Sequence, residues 1–262
     1  MKVREPVVAG SFYPAEREEL RRMIRQFLEA SPMFEVSKIH SIVSPHAGYI
    51  YSGPVAGVSY KQLYNLDHSK LWKVFIVAPS HYVYFSGVSV GAFDEYQTPL
   101  GAVAVSKIVP KLLMEDSFHF IIDAHLEEHS IEVQLPFLQY VLPRFEIIPI
   151  VTGEISYKEL GDTLDKYMYD DSILVVSTDL SHYNPYDIAK KIDEHCNKAV
   201  TELDLKGLDK CEACGKTGLA TALYLAKKKG WKSKILTYAN SGDTAGPRTQ
   251  VVGYGSYMFY EE

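Results

Sequence analysis

Three histidines follow three separate apolar runs of this sequence at similar distances. The runs are Ile42-Val43-Ser44-Pro45-His46, Ile76-Val77-Ala78-Pro79-Ser80-His81 and Val175-Val176-Ser177-Thr178-Asp179-Leu180-Ser181-His182. Imidazole is the commonest metal ligand in proteins, and it also exchanges protons near neutral pH. If the runs are parallel strands, their carboxyl ends meet at one edge of a sheet, where open α/β folds bind ligands. The spacing therefore predicts one shared site, although each histidine could instead bond to its own loop.

Two further residues could belong to this site. Asp179 lies three residues before His182, where its carboxylate could hold the imidazole tautomer or cap the loop. Cys214 precedes Gly215 at the start of a helical pattern, and a helix N-terminus lowers the pKa of a thiol. A buried, inert cysteine is the alternative at this position.

The cysteine content also bears on zinc and on the cellular compartment. Cys211 and Cys214 form one C-x-x-C pair, but a structural zinc site needs a second pair and Cys196 stands alone. A low and odd number of cysteines is typical of a reducing compartment. The first residues contain no apolar run long enough for a signal peptide, so we expect a cytoplasmic protein.

A second histidine pattern favours a different chemistry. The segment His125-Leu126-Glu127-Glu128-His129 matches the H-x-x-E-H pattern of inverted zinc peptidases. That pattern requires an unbroken helix, and Pro136 follows closely enough to interrupt one. The alternative is that His129 begins a new helix and faces the same crevice as the strand-end histidines.

Two kinds of segment alternate along the chain and must position these residues. Continuously apolar runs predict strands buried on both faces, over residues 41–44, 74–78, 145–151, 173–176 and 251–260. Helical spacing predicts helices over residues 20–28, 54–64, 157–167, 185–203 and 216–228. The Val/Ser/Gly alternation over residues 87–105 predicts a hairpin that turns at Thr98-Pro99-Leu100-Gly101. We expect one α/β domain over residues 1–262, with helices on both faces of a mostly parallel sheet and an antiparallel addition.

Composition and charge exclude several classes of protein. The 262 residues are 47% hydrophobic and 23% charged, as in ordinary globular proteins. With 27 Lys and Arg against 33 Asp and Glu, the formal net charge is −6. An acidic chain without basic clusters is unsuited to nucleic acid or anionic membranes, because both require neutralisation of phosphate. No run reaches the about 18 apolar residues of a membrane span, and the sequence does not indicate an oligomeric state.

Six motifs together resemble one known family, the Memo family. They are Ala9-Gly10-Ser11-Phe12-Tyr13-Pro14, Pro45-His46-Ala47-Gly48-Tyr49, Pro79-Ser80-His81, Glu128-His129-Ser130-Ile131-Glu132, Ser177-Thr178-Asp179-Leu180-Ser181-His182 and Cys214-Gly215. The family is named for the mediator of ErbB-driven cell motility, and its microbial members are also called the B protein of the AmmeMemoRadiSam system. The resemblance extends from residue 9 to about residue 257.

The resemblance implies a fold like that of the class III extradiol dioxygenases, which hold a non-haem iron at one edge of an α/β sheet. It implies metal ligands at His46, His81 and Cys214, with His182 as the acid/base and Asp179 beside it. Phe12 and Tyr51 match aromatic positions that line the family's pocket, and His129 is expected to face the same pocket. Extradiol dioxygenases use two histidines and a carboxylate, so a thiolate here would favour copper or zinc or alter the properties of iron. A carboxylate of Glu128, Glu132 or Asp179 could instead complete the site.

Three functions are consistent with these residues. The first is a redox enzyme that uses one transition metal, iron or copper and alternatively zinc, on a small substrate. The second is a non-catalytic module that binds copper or iron, or a peptide, in the cleft at the sheet edge. The third is a zinc peptidase, which predicts that His125 rather than His46 binds the metal.

Overall fold

The computed structural model describes residues 2–262, and their secondary structure alternates strands with helices. The strands are β1 (Val3–Arg4), β2 (Lys38–Ser44), β3 (Trp72–Pro79), β4 (Val88–Val90), β5 (Glu95–Thr98), β6 (Gly101–Ala104), β7 (Phe118–His119), β8 (Phe145–Thr152), β9 (Ser172–Ser177), β10 (His182–Asn184), β11 (Lys232–Asn240) and β12 (Val251–Glu261). The α-helices are α1 (Arg17–Glu29), α2 (Tyr49–Lys61), α3 (Val109–Leu112), α4 (Asp123–Leu126), α5 (His129–Glu132), α6 (Leu135–Val141), α7 (Tyr157–Tyr167), α8 (Tyr186–Thr201) and α9 (Lys216–Lys229). Short 3-10 helices span Gln62–Asn65, Gly207–Lys210 and Ser241–Asp243.

The larger sheet has parallel strands at its centre. Its strand order is β10-β12-β2-β9-β3-β8-β4-β7, and β11 also pairs with β12. Strands β2, β9, β3 and β8 run parallel, whereas β12 is antiparallel to β2 and β4 is antiparallel to β8. The carboxyl ends of β2, β3 and β9 therefore lie side by side. This confirms the predicted α/β class, with a mostly parallel central sheet and antiparallel additions.

The central strands are apolar throughout because helices cover both faces of the sheet. Successive residues of β3 point to opposite faces: Val74 and Ile76 pack in one apolar cluster, and Phe75 and Val77 in another. The first cluster includes buried residues of α1 and α6, and the second includes buried residues of α7, α8 and α9. A strand with helices on both sides needs apolar residues at every position, as the sequence shows.

The predicted hairpin is present but belongs to a small separate sheet. Strands β5 and β6 are antiparallel, with Thr98 paired to Gly101 across the predicted turn. Strand β1 adds to β5 in parallel, so the amino-terminal residues complete this three-stranded sheet. Strand β4, from the same stretch of sequence, pairs with β8 of the larger sheet instead.

Two elements differ from the sequence prediction because tertiary contacts decide them. Helix α2 begins at Tyr49, five residues before the predicted start at Pro54, because the N–H of Tyr49 donates to the carbonyl of Phe12 at 2.7 Å. Strand β11 was not predicted, since most of its residues are only partly buried and its sequence lacks a continuous apolar run. It pairs along its length with β12, so its register comes from a partner distant in sequence.

The cysteines are also paired differently from the expectation. Cys196 of α8 and Cys211 form a disulfide with their Cα atoms 5.0 Å apart, although the sequence analysis treated Cys196 as isolated. Only the fold brings these two buried residues together, since nothing in their spacing of 15 residues indicates the pairing. Cys214 remains a free thiol.

Within residues 2–262, no helix combines the length and apolarity needed to cross a membrane.

Candidate metal centre

Three imidazoles converge at the carboxyl edge of the larger sheet. His46 follows β2, His81 follows β3, and His129 begins α5. Their ring centroids are 4.7 to 5.5 Å apart. One nitrogen from each ring lies within 4.8 Å of one nitrogen of each other ring, which makes the trio a possible metal site.

The ring of His46 is held by a hydrogen bond at its outer nitrogen. Nδ1 of His46 lies 2.9 Å from Oγ of Ser177. That hydroxyl donates its proton to the carbonyl of Ser130 and accepts from the amide of Gln134, so it can only accept from His46. His46 therefore carries a proton on Nδ1, and its Nε2 faces the thiol of Cys214 at 3.4 Å.

Glu128 orients His81 in the same manner. One carboxylate oxygen lies 2.8 Å from Nδ1 of His81, and the other accepts from the His81 backbone N–H at 2.7 Å. The same carboxylate accepts from the N–H of Ser130 and thereby caps α5. Burial raises the pKa of Glu128, but hydrogen bonds from His81 outweigh it and hold the pKa at about 2. An ionised carboxylate on the outer nitrogen is the usual partner of a metal-bound histidine.

Cys214 places a sulfur beside two of the imidazoles. It lies directly before Gly215, the N-cap of α9, and its Sγ accepts from the backbone N–H of Asp179 at 3.3 Å. Burial raises the pKa of this thiol, but the charge of His46 and hydrogen bonds from His46 and His81 lower it to about 6. In turn, burial lowers the pKa of His81, and its bonds to Cys214 and Glu128 raise it to about 10. The two shifts have opposite directions, and both favour a thiolate beside a protonated imidazole in the metal-free protein.

His129 was expected to face the pocket, and the structure places it within the imidazole cluster itself. Its side chain is 12% exposed, and its Nδ1 is buried without a hydrogen-bond partner among the described residues. Burial and the charge of His46 lower its pKa to about 4, so the ring is neutral at physiological pH. A neutral imidazole is the form that binds a metal, and this Nδ1 lies 3.7 Å from Oε1 of Glu128. The sequence signal for its position was the predicted start of a new helix at His129, which the structure has as α5.

The three acidic residues considered as alternative ligands have other partners. Asp179 accepts the backbone N–H of His46 at 2.8 Å, which supports the loop-capping interpretation rather than a bond to the ring of His182. Both oxygens of Glu128 are used by His81 and Ser130. Glu132 lies 0% exposed and bonds to the amino-terminal segment.

A cavity of about 530 Å³ opens over the three imidazoles. Phe12, Tyr51, Asp179 and His182 all line it. The ring of Phe12 packs on His129 at a centroid distance of 4.8 Å. His182 begins β10 and is partly exposed, which makes its imidazole accessible to a molecule in the cavity.

The zinc-peptidase pattern does not form the helix it requires. Helix α4 ends at Leu126 and α5 begins at His129, so His125 and His129 lie on different helices. His125 is 1% exposed, and its two nitrogens lie 3.0 Å from Oγ of Ser89 and 3.1 Å from the hydroxyl of Tyr96. Its nitrogens are therefore occupied in the core, and the peptidase hypothesis is wrong about the role of His125.

His125 should instead make stability depend on pH. Burial lowers its pKa from 6.5 to about 4. Between pH 6.5 and 4 the unfolded chain binds a proton that the folded protein excludes, so the free energy of unfolding falls as the pH falls. This pKa difference corresponds to about 3 kcal/mol of unfolding free energy, which is fully present above pH 6.5 and is lost as the pH falls to about 4. Urea unfolding at pH 7 and pH 4.5 should show a smaller difference for His125→Asn than for wild type. The exposed His119→Asn is the control, and equal pH dependence in all three proteins would contradict this assignment.

Comparison with known proteins shows the family to which this sequence belongs. A sequence model of the Memo-like protein family matches residues 4–258. A MEMO1 family protein of Saccharolobus solfataricus is 39% identical, covering 98% of this chain and 99% of its own length. Corresponding proteins of Metallosphaera sedula and Desulfurococcus amylolyticus are 38% and 37% identical over 98% and 99% of this chain. This α/β protein, with histidines gathered at the carboxyl edge of its sheet, thus resembles these relatives along nearly its whole length. The chain belongs to the Memo family.

Proposed function

We propose that this protein is a redox enzyme that holds one transition metal, iron or copper, at His46 and His81. Cys214 and His129 supply the further donors. The observation that carries this proposal is the pair of outer hydrogen bonds, which His46 Nδ1–H donates to Ser177 and His81 Nδ1–H donates to Glu128. Such bonds leave the inner nitrogens of both rings available and directed at one point, beside a thiol with a lowered pKa.

The donor set fits this group of metals. Imidazole binds iron, copper and zinc, and a thiolate adds preference for Cu(I), zinc or iron. His129 adds a third imidazole, with one ring nitrogen within 4.8 Å of those of His46 and His81. A bound iron or copper ion would supply one-electron chemistry and Lewis acidity at the floor of the cavity.

The residues around the cavity would do the remaining work. Phe12 and Tyr51 offer aromatic surface on which a small substrate can be oriented. His182 has the residue type and the exposure to take a proton from a bound substrate or return one. Asp179 holds the backbone of His46 and the sulfur of Cys214 in register through its carboxylate and its N–H.

Metal reconstitution tests the proposal directly. We expect anaerobically purified protein to bind about one equivalent of iron or copper per chain and to cycle it between two oxidation states, followed by electron paramagnetic resonance. His182→Gln should keep the metal, because His182 is outside the ligand cluster. Failure to bind either metal after reconstitution, or binding of zinc alone, would contradict a redox role.

A non-catalytic copper carrier is the second candidate. The thiolate beside His46 favours it, because soft ligands select Cu(I). A carrier should release copper to a competing chelator at a rate that does not change in His182→Gln. An enzyme should instead lose turnover in this variant once a substrate is supplied.

Glu128 should control metal affinity without contacting the metal. Glu128→Gln keeps the side-chain shape but removes the charge that orients and polarises His81, so we expect metal affinity to fall about 10–100-fold. Titration with Co²⁺, followed by its visible absorption, measures this change. Glu127→Gln, at the exposed neighbouring position, is the matched control. Equal affinities for Glu128→Gln and wild type would show that His81 is not a ligand.

A further inference from the structure

A buried carboxylate of helix α8 contacts the residue directly before His182. Asp193 is 1% exposed. Its Oδ1 accepts the backbone N–H of Ser181 at 2.9 Å, and its Oδ2 accepts the hydroxyl of Ser181 at 3.0 Å. A third donor, the hydroxyl of Tyr238 in β11, lies 2.8 Å from Oδ2. Two of the three hydrogen bonds to this carboxylate therefore serve Ser181.

Strand β12 holds the same segment from the other side. The N–H of Gly253 donates to the carbonyl of Ser181, and the N–H of Leu180 donates to the carbonyl of Gly253, both at 2.8 Å. A Cβ atom at Gly253 would lie 2.0 Å from Oδ2 of Asp193. Position 253 must therefore lack a side chain for the carboxylate to reach Ser181.

The backbone directly after His182 is in an uncommon conformation. Tyr183 has φ of +59°, in the left-handed region that a bulky residue rarely adopts. Its side chain is 70% exposed, so burial of the ring does not account for this conformation. Such strain persists only where the surrounding structure holds it. The bonds to Ser181 and the pairing of His182 with Val252 supply that restraint.

We propose that Asp193 is a positioning residue that fixes the imidazole of His182 at the cavity wall. The functional meaning rests on the proposed redox function, in which His182 moves the proton. Burial of a carboxylate costs free energy unless hydrogen bonds compensate it, and here most of that compensation comes from the segment that carries His182. The carboxylate thus ties α8 directly to the backbone and side chain of the residue before His182.

Nuclear magnetic resonance of the full-length chain with labelled histidine tests this without metal or substrate. The ring signals of His182 are assigned by their loss in His182→Gln. We expect Asp193→Ala and Gly253→Ala to shift or broaden these signals. We also expect them to speed hydrogen exchange at the Ser181 N–H about tenfold or more, as for loss of a bond to a charged acceptor. Tyr238→Phe removes only the third contact of Asp193, so it should lower stability while leaving both readouts as in wild type.

Two milder variants keep the test decisive if Asp193→Ala does not fold. Asp193→Asn retains one oxygen for the Ser181 N–H and should restore the wild-type His182 signals. Ser181→Ala loses only the hydroxyl contact and should shift them partly. Unchanged His182 signals in Ser181→Ala and Gly253→Ala would overturn the proposal, as would an equal disturbance in Tyr238→Phe. Metal content is measured on the same samples, so failure to bind metal refutes the proposed function without altering the result for Asp193.

Discussion

Alanine at His46 is expected to abolish metal binding, whereas alanine at His125 should leave it unchanged. His46 is 2% exposed, and its ring contacts both other imidazoles of the cluster, with centroids 5.2 Å from His81 and 5.5 Å from His129. It also faces the sulfur of Cys214. Removing His46 deletes one proposed metal ligand and also removes the imidazole that contacts the sulfur of Cys214. The metal affinity should fall by more than the about 10–100-fold that we expect when an outer hydrogen-bond partner such as Glu128 is altered.

Metal content after reconstitution, measured by elemental analysis, checks this expectation. The charge of His46 is the largest cause that lowers the pKa of Cys214, so His46→Ala should also raise that pKa and slow alkylation of Cys214 at pH 7. His125→Ala is the matched control, because it removes an imidazole that the core already satisfies. Loss of metal in His125→Ala but not in His46→Ala would instead restore the peptidase hypothesis.

Removing the carboxylate of Glu132 should destabilise the protein by about 3–5 kcal/mol. Glu132 pairs with the guanidinium of Arg4, and the side chains of both are 1% exposed. The same carboxylate accepts from the N–H groups of Val7 and Val8 at 2.9 and 3.0 Å and from the hydroxyl of Tyr13 at 2.5 Å. Glu132→Ala would therefore leave an uncompensated buried cation and three unpaired donors.

Urea unfolding of Glu132→Ala at pH 7 measures this cost. Glu202→Ala is the matched control, since Glu202 pairs with Lys198 at the surface and such exposed pairs contribute little. The amino-terminal segment should also become sensitive to proteases, because Glu132 attaches residues 7–13 to α5. A Glu132→Ala protein as stable as Glu202→Ala would show that the buried ion pair does not hold this segment.

The element types that were predicted correctly depend on local pattern. The short apolar runs around Val74, Ile147 and Val175 are rich in β-branched residues, and strands between two helical layers bury such runs on both faces. The hairpin turn at Thr98–Gly101 was also predicted from the local sequence, because it contains a glycine. In the structure this glycine adopts φ of +122°. Strand β11 was not predicted, because its half-buried residues show no strong alternation of apolar and polar types. Its register follows from its pairing with β12.

The sequence by itself determined the family, the α/β class and the edge of the sheet at which chemistry is expected. Parallel strands end at the same edge of a sheet, so histidines that follow them are brought to one region. Of the three strand-end histidines, however, only His46 and His81 meet, and His182 lines the cavity outside the cluster. Spacing along the chain carries no further information about which side chains touch. The fold alone decided that Glu128 bonds to the ring of His81 and that Asp179 bonds to the backbone of His46 rather than the ring of His182. It also decided that His129 joins the cluster and that Cys196 pairs with Cys211. These contacts join residues from different elements, and their distances follow from how the helices pack on the sheet.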